Sequence, residues 1–347
     1  MPITKAGNAV SNSPNDGRIK MYLITGGLGF IGSNLAAGLE ARADGEIVVC
    51  DRQEKGDKWR NLDKRNISRI VPPEEIFAFL DDLGGDLTAL FHMGAISSTT
   101  ETDVNLVLDT NIRFSLDLWK WCCRHEKRFI YASSAATYGD GSQGFNDDES
   151  DAALAVLRPL NLYGWSKHLF DRHVLGLSRG GEAPPQWAGL KFFNVYGPNE
   201  YHKGDMKSVV CQIFPVAREG KPCRLFKSHQ PDYKDGGQLR DFIWVKDCVD
   251  VMLWFLDNPD LNGIYNLGTG KARSFADLAA AVYGTLGLEC AIEYMDIPEE
   301  IRDHYQYFTQ ARMDRLRVTG YANPFASLEE GVQRYVREFL DTPDPYK

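Results

Sequence analysis

The stretch "KMYLITGGLGFIGSNLAAGLE", residues 20–40, decides the fold class of this chain. The apolar run at 22–25 predicts a buried strand, and the composition of 33–40 predicts a helix. A glycine-rich turn separates the two, so the order along the chain is strand, turn, helix. This order is typical of the unit that opens a parallel α/β sheet.

The turn has the glycine spacing of a dinucleotide-binding site. Gly26, Gly29 and Gly32 stand three residues apart. Glycine there completes the turn, lets the backbone approach a pyrophosphate and packs the helix on the strand, while the start of the helix offers N–H groups to phosphates. Asp51 ends the next predicted strand, nineteen residues after Gly32, where a carboxylate meets the adenosine ribose. Together these features favour a dinucleotide site over a turn with only a structural role.

Buried strands and helices alternate beyond this first unit. Strands are predicted at 46–51, 87–95, 128–134 and 186–198, a helix at 111–126, and a return strand and helix within 240–258. Strands that alternate with helices predict an α/β fold with a doubly wound parallel sheet of the Rossmann type, accompanied by a smaller α/β substrate-binding domain.

Changes in composition divide the chain into parts. Residues 1–19 are polar and rich in small side chains, which predicts a flexible tail, and the sequence becomes loop-rich after about residue 194. We expect a dinucleotide-binding domain from 20–194 and 240–263, and a substrate domain from 195–239 and 264–347.

Composition narrows the class of function. The net charge of −9 disfavours nucleic acid and anionic membranes as partners. No apolar run reaches the roughly 18 residues of a membrane span, and the start lacks the apolar core of a signal peptide. The seven cysteines form no C-x-x-C, which predicts reduced thiols and a cytoplasmic protein. The histidines form no H-E-x-x-H, so a metal hydrolase is disfavoured and no metal site is predicted.

The charged residues after the second strand bear on the form of the cofactor. Asp51 alone favours NAD, because its charge repels a 2′-phosphate. Arg52 follows directly and Lys58 comes soon after, and an arginine there can pair bidentately with that phosphate. We expect NADP, with NAD possible; the alternative is that the two cations belong to a solvated loop.

Two short stretches predict a proton-transfer site. In "PLNLYGWSKHLF", residues 159–170, Tyr163 and Lys167 stand four apart and share one helix face. A nearby ammonium and an oxidised nicotinamide both lower the pKa of a phenol, which is otherwise about 10. Ser134 ends a predicted strand, where it can hydrogen-bond the reacting oxygen. Such a tyrosine–lysine pair also occurs on surface helices, but its combination with the glycine turn and the serine favours catalysis.

With these residues in place, the chain resembles the extended short-chain dehydrogenase/reductase family from about residue 20 to its end. Within that family it is similar to the nucleotide-sugar epimerases, and most of all to those that act at C6 of an ADP-heptose. The glycine turn, "YASSAATYG" and "PLNLYGWSKHLFD" are shared by many nucleotide-sugar enzymes. The stretches "SSTTE" (97–101), "HKG" (202–204) and "FTQA" (308–311) are more specific to the heptose epimerases.

The resemblance implies a reaction that inverts a carbon by oxidation and reduction. The C6 hydroxyl of ADP-D-glycero-D-manno-heptose becomes a ketone with bound NADP, and the same hydride returns to the other face. Tyr163 and Lys203 are then two acid/base groups on opposite sides of the carbon. Lys167 holds the cofactor ribose and lowers the pKa of Tyr163, and Ser134 polarises the oxygen. The alternative for Lys203 is an exposed loop lysine. The family also implies a ring-like homo-oligomer.

The resemblance also supplies the binding residues. For the cofactor, together with the residue-based assignments above, they are Gly26, Gly29, Phe30, Ile31, Gly32, Asp51, Arg52, Lys58, Met93, Gly94, Ala95, Ile96, Ser97, Asn111, Tyr163, Lys167, Val195 and Lys203. For the ADP-sugar substrate they are Ser134, Asn194, Asp205, Gln212, Phe226, Lys227, Ser228, His229, Arg240 and Tyr305. Arg240 is expected to meet the diphosphate; its alternative is a structural ion pair.

Four features depart from the family pattern. Met93 stands where the family often has glutamate, Asp205 where it often has serine, and Gln212 where it often has histidine. The loop at 227–239 is longer than usual. These departures concern the recognition of the sugar and diphosphate rather than the redox residues.

Other functions remain as alternatives. A 4,6-dehydratase would carry an Asp-Glu pair after the strand-end hydroxyl, where this chain has Ala135 and Ala136, so dehydration is disfavoured. A 4-epimerase of another nucleotide sugar would share the redox residues and is the second enzymatic candidate. A non-catalytic NADP-binding protein would be expected to lack Tyr163 or Lys167, and this chain has both.

Overall fold

The computed structural model describes residues 20–52, 56–302 and 305–347. The tail predicted at 1–19 lies outside the described residues. The strands of the described part are β1 Lys20–Thr25, β2 Gly45–Cys50, β3 Arg69–Val71, β4 Leu87–His92, β5 Arg128–Ser134, β6 Trp187–Phe192, β7 Asn194–Tyr196, β8 Cys223–Phe226, β9 Leu239–Trp244, β10 Gly263–Leu267, β11 Ala272–Ser274 and β12 Ile292–Met295.

The helices of the same part connect and cover these strands. They are α1 Phe30–Arg42, α2 Ile76–Leu83, α3 Val104–Val107, α4 Phe114–Arg124, α5 Asp151–Val156, α6 Leu162–Arg179, α7 Val209–Arg218, α8 Val245–Asp257, α9 Phe275–Thr285, α10 Glu299–Arg302, α11 Asp314–Val318 and α12 Leu328–Tyr335. A π-helical segment, Leu108–Arg113, joins α3 to α4. No helix among the described residues has both the length and the apolarity to cross a membrane.

The larger sheet confirms the predicted fold class. Within the described ranges it contains seven strands in the order β10-β6-β5-β4-β1-β2-β3, and every neighbouring pair is parallel. The strand order reverses between β1 and β4, so their carboxyl ends border the crevice in which doubly wound proteins bind ligands. The inner residues of β1, such as Leu23 and Ile24, are fully buried, as expected for a sheet covered on both faces.

A second, smaller core lies beside the large sheet. It packs the sheet β11-β9-β7 and the pair β12-β8 against α7, α9 and α12. The domain boundaries expected from sequence differ from this strand pairing at two strands. β9 pairs with β7 and β11 rather than joining the large sheet, and β10 pairs with β6 inside the large sheet. Both strands are largely buried, so composition alone does not say which sheet each one joins.

Candidate active site

A cleft of about 950 Å³ opens at the carboxyl ends of the central strands, facing the smaller core. Its wall includes the glycine turn between β1 and α1, the loop after β4, the end of β5, the start of α6 and the loop after β7. These segments are far apart in sequence, and the parallel sheet brings them to one edge.

The glycine turn is shaped by close backbone contacts. Gly26 has a φ of +67° and donates its N–H to the carbonyl of Cys50 at 2.8 Å. A Cβ at Gly26 would lie 2.6 Å from the Cα of Gly94, and one at Gly32 would overlap the carbonyl oxygen of Gly26. Within the described part of the chain no side chain caps the start of α1, which leaves its N–H groups for a ligand. The turn therefore fits a dinucleotide pyrophosphate.

Asp51 is fixed at the end of β2. Its carboxylate accepts hydrogen bonds from the N–H of Leu28 at 2.9 Å and from Nζ of Lys58 at 2.9 Å. Lys58 lies on the cleft wall with Asp51. The side chain of Arg52 instead pairs with Glu74 at 2.5 Å and is 63% exposed. Of the two cations after Asp51, Lys58 is the one that faces the cleft.

Lys167 and Tyr163 meet Ser134 where β5 ends and α6 begins. Asn161 caps α6 by accepting the N–H of Gly164, and Lys167 is buried, with its Nζ donating to the carbonyl of Ala132 at 2.7 Å. Burial lowers the pKa of Lys167 to about 8. Burial raises the pKa of Tyr163, and the hydroxyl of Ser134 opposes that shift. The three side chains thus share one end of the cleft.

Lys203 reaches the same cleft from the loop after β7. It lies in the short 3₁₀ segment Tyr201–Met206, and its Nζ lies 5.4 Å from the ring centroid of Phe30 in the glycine turn. Burial lowers the pKa of Lys203, while the carboxylate of Glu200 raises it. Forty residues separate Lys203 from Tyr163 in sequence, yet both side chains line the same cleft.

Arg240 lies at the end of the cleft nearest the smaller core. It is 8% exposed, and its guanidinium carbon lies 5.5 Å from the ring centroid of Phe275 and 5.4 Å from that of Tyr305. Among the described residues no carboxylate pairs with it, so the expected alternative of a structural ion pair is not observed. Burial lowers its pKa. A buried cation between aromatic rings and without an anion is suited to an anionic ligand.

Comparisons with known proteins agree with this geometry. A model of the NAD dependent epimerase/dehydratase family matches residues 22–268. The chain belongs to this family. A nicotinamide dinucleotide is therefore the cofactor for which the glycine turn is built, and the resemblance seen in the sequence is confirmed.

Individual relatives within the NAD dependent epimerase/dehydratase family are similar over almost their whole length. An ADP-L-glycero-D-manno-heptose-6-epimerase of Nitratidesulfovibrio vulgaris is 50% identical, over 94% of this chain and 100% of the relative. One of Fusobacterium nucleatum is 43% identical over the same shares of each chain. The solved structure of the Helicobacter pylori ADP-L-glycero-D-manno-heptose-6-epimerase has a TM-score of 0.77 at 28% identity, covering 92% of this chain and 96% of that one.

Most residues predicted for the site line the cleft of this epimerase-family member. They are Gly26, Gly29, Phe30, Ile31, Gly32, Asp51, Lys58, Met93, Gly94, Ala95, Ser97, Ser134, Tyr163, Lys167, Asn194, Val195, Lys203, Arg240 and Tyr305. Ile96 and Asn111 stand behind the wall, where the amide of Asn111 accepts the N–H of Ile96 at 2.9 Å and donates to its carbonyl at 3.0 Å. They shape the loop after β4 rather than face the cleft.

The other predicted substrate residues are not on the cleft wall. Asp205 is exposed, and the amide of Gln212 donates to the carbonyls of Lys207 at 2.7 Å and Asp205 at 3.3 Å. Phe226 lies edge-on to Tyr305, with ring centroids 5.9 Å apart. Its neighbours make other contacts. Lys227 pairs with Asp296, Ser228 donates its N–H to Asp235, and His229 donates its N–H to the hydroxyl of Tyr307.

One cation of the cleft was not predicted. Lys207 lines the cleft, is half-buried and has no carboxylate partner among the described residues. The described cleft wall carries five amino or guanidinium groups and one carboxylate, namely Lys58, Lys167, Lys203, Lys207 and Arg240 against Asp51. In a chain of net charge −9, this local excess of positive charge favours an anionic ligand. A lone lysine in a loop carries no sequence signal for such a role.

Buried charged residues also contact α6 on the side away from the cleft. Asp171, one turn after Lys167 on α6, accepts hydrogen bonds from the hydroxyls of Tyr131 at 2.9 Å and Ser133 at 2.7 Å and pairs with Lys191 at 3.3 Å. Asp171 raises the pKa of both Tyr163 and Lys167. Sequence reasoning missed this carboxylate, although its four-residue spacing from Lys167 was a readable signal.

Proposed function

We propose that this chain converts ADP-D-glycero-D-manno-heptose to ADP-L-glycero-D-manno-heptose by epimerisation at C6. The observation that carries the proposal is that Tyr163 and Lys203, two acid/base groups from distant segments, line one cleft with the dinucleotide turn. The end-to-end similarity to heptose 6-epimerases supports the choice of sugar.

The proton chemistry follows from the two groups. The nicotinamide cofactor supplies the redox chemistry, in which hydrogen leaves C6 with its electron pair and later returns. In the first half, one of Tyr163 and Lys203 accepts the proton of the C6 hydroxyl, which becomes a ketone. In the second half, the ketone presents its other face, and the remaining group donates a proton to the oxygen. No net oxidation results. Ser134 hydrogen-bonds Tyr163, and Lys167 would hold the ribose of the cofactor.

The test is incubation of the purified protein with the ADP-D-glycero epimer and no added cofactor, followed by resolution of the C6 epimers. Formation of the L-glycero epimer supports the proposal. A protein that is inactive on this sugar but interconverts C4 epimers of a UDP-hexose would be a 4-epimerase instead.

We also propose NADP as the preferred form of the cofactor. Lys58 faces the cleft within 2.9 Å of Asp51 and offsets the charge that would repel a 2′-phosphate. The side chains of Arg52 and Glu74 are more than half exposed, and such a surface pair contributes only about 0–1 kcal/mol. Arg52 can therefore leave Glu74 for a phosphate at little cost, and it would bind that phosphate bidentately.

The supernatant of the denatured protein is expected to contain one dinucleotide per chain, mainly NADP, when compared with NADP and NAD standards by chromatography. Lys58→Met should weaken NADP binding relative to NAD by about tenfold or more, because a hydrogen bond to a charged group contributes about 1.5–3 kcal/mol. Lys221→Met, at an exposed surface pair, is the control. Tight binding of NAD alone would contradict the NADP proposal. The absence of either dinucleotide, with no thermal shift on adding NADP, would contradict the cofactor site itself.

The ADP moiety is proposed to bind at Arg240 and Lys207. Arg240→Leu should weaken binding of ADP, measured by calorimetry on the cofactor-loaded protein, by about 10- to 100-fold, since it removes a charge-assisted contact from a buried position. Lys207→Met should weaken it by a smaller factor of about three to ten, because its ammonium is partly solvated. Arg224→Leu, whose side chain is 72% exposed on β8, is the matched control. Unchanged ADP affinity in Arg240→Leu would exclude this placement of the diphosphate.

A cytoplasmic location and a homo-oligomeric state are proposals as well. The seven cysteines, all within the described ranges, are free thiols, which supports a reducing compartment. The oligomer rests on the family resemblance, and the elution volume of the cofactor-loaded protein with light scattering would test it.

A further inference from the structure

Residues 342–347, which we call the C-terminal strap, lie across two segments that line the cleft. The anchor of the strap is Tyr346, which is 7% exposed. Its ring packs edge-on against Tyr201 with centroids 5.1 Å apart, and the guanidinium carbon of Arg60 lies 4.3 Å from its centroid on another side. The strap therefore joins the segment that carries Lys58 to the loop that carries Lys203.

Hydrogen bonds fix the backbone of the strap to the same two segments. On the side of Lys58, Nζ of Lys64 donates to the carbonyl of Tyr346 at 2.6 Å. On the side of Lys203, the hydroxyl of Tyr201 donates to the carbonyl of Pro345 at 2.8 Å. The ion pair of Lys64 with Asp344 is half-exposed and contributes little by comparison. The ring of Tyr346 and these carbonyl contacts hold the strap in place.

Contacts with other segments, the strap among them, hold the irregular backbone of the Lys203 loop. Gly204 departs from helical geometry with φ 55° and ψ −128°, so no regular helix holds Lys203. Asn199 has a φ of +73°, a conformation that costs energy in residues other than glycine. Its buried amide donates to Ser33 Oγ at 3.0 Å, and its oxygen accepts the N–H of Lys347, in the strap, at 3.0 Å.

We propose that the C-terminal strap positions Lys203, with Tyr346 as the positioning residue. Lys203 itself contacts the ring of Phe30 from a short 3₁₀ turn, so the place of its ammonium depends on the place of its backbone. The strap joins this loop to the segment 57–64, and Asn199, which the strap contacts, joins it to α1. The claim that the strap affects catalysis rests on the proposed function. The claim that the strap holds the Lys203 loop in place does not.

Hydrogen exchange on the cofactor-bound protein tests the structural part without any substrate. In Tyr346→Ala the amides of Lys203 and Lys207 should exchange about tenfold faster, because the loop opens more often. Tyr346→Phe should leave them near the wild-type rate, since it keeps the ring contacts and the backbone carbonyl. Tyr294→Ala, an aromatic that is 41% exposed on β12, is the control for loss of a tyrosine elsewhere. Unchanged exchange at both amides in a folded Tyr346→Ala protein would overturn the proposal.

Kinetics tests whether the strap acts through Lys203. Tyr346→Ala should lower kcat for epimerisation by about tenfold with KM within about twofold, and Tyr346→Phe should restore it. In a Lys203→Met background the same alanine substitution should cause no further loss, because both changes act on one group. An equal loss in both backgrounds would overturn the positioning role. If the wild-type protein does not epimerise the ADP-heptose, the proposed function fails, and hydrogen exchange still decides whether the strap holds the loop.

Discussion

Replacing Lys203 with methionine is expected to lower the rate of epimerisation by about 10²–10⁴-fold, the usual effect of losing a positioned acid/base group. The ammonium lines the cleft beside the glycine turn, and among the described residues no other lysine lies over the ring of Phe30. Methionine keeps much of the length and apolar packing, so the protein should still bind the cofactor. The measurement is the rate of C6 epimerisation, with cofactor affinity determined on the same sample.

The pH profile gives a second readout on Lys203. Lys203 must be neutral when it accepts a proton and charged when it donates one, and burial lowers its pKa, so the rate should change with pH as Lys203 titrates. That limb of the pH profile should disappear in Lys203→Met. Lys221→Met removes the same single positive charge from an exposed lysine. It should leave both the rate and its pH profile unchanged. A folded Lys203→Met protein within a few-fold of the wild-type rate would make Lys203 an ordinary loop lysine.

Removing the hydroxyl of Tyr163 is expected to have an effect of similar size, about 10²–10⁴-fold. Tyr163→Phe keeps the ring at the start of α6 and deletes only the hydroxyl beside Ser134, which is the proposed proton-transfer group. Folding and cofactor binding should be unaffected, which thermal unfolding with and without NADP would verify.

A partial reaction distinguishes the two groups. An aldehyde analogue of the substrate can present either face of its carbonyl, so Tyr163→Phe and Lys203→Met should each retain redox chemistry on one face. The double variant should lose both. Retention of the partial reaction by the double variant would show that a different group transfers the proton.

The sequence predicted those parts of the structure that depend on local pattern. The first strand, the glycine turn and α1 were predicted because apolar runs, glycine spacing and helix composition are all local signals. Tyr163 and Lys167 were predicted as a pair because a four-residue spacing fixes their common face. The sequence did not predict which sheet β9 and β10 join, because that depends on the strands with which each one pairs.

The residues of the candidate site were also predicted only in part. Lys203 entered through the family resemblance, because nothing local distinguishes it from a solvated loop lysine. Gln212 and His229 were placed with the substrate by the same resemblance, but the structure holds their side chains in contacts with loop backbone. Tyr346 and Tyr201 are 145 residues apart in sequence, and only the folded structure brings the two rings together.

The most direct test of the proposed oxidation and reduction at C6 uses ADP-D-glycero-D-manno-heptose labelled with deuterium at C6, incubated with the purified protein in ordinary water and without added cofactor. The account predicts that the L-glycero epimer forms with the deuterium retained at C6, because the same hydrogen leaves and returns within one cleft while Tyr163 and Lys203 move only the hydroxyl proton. Loss of the label to water, or inversion at a carbon other than C6, would contradict it.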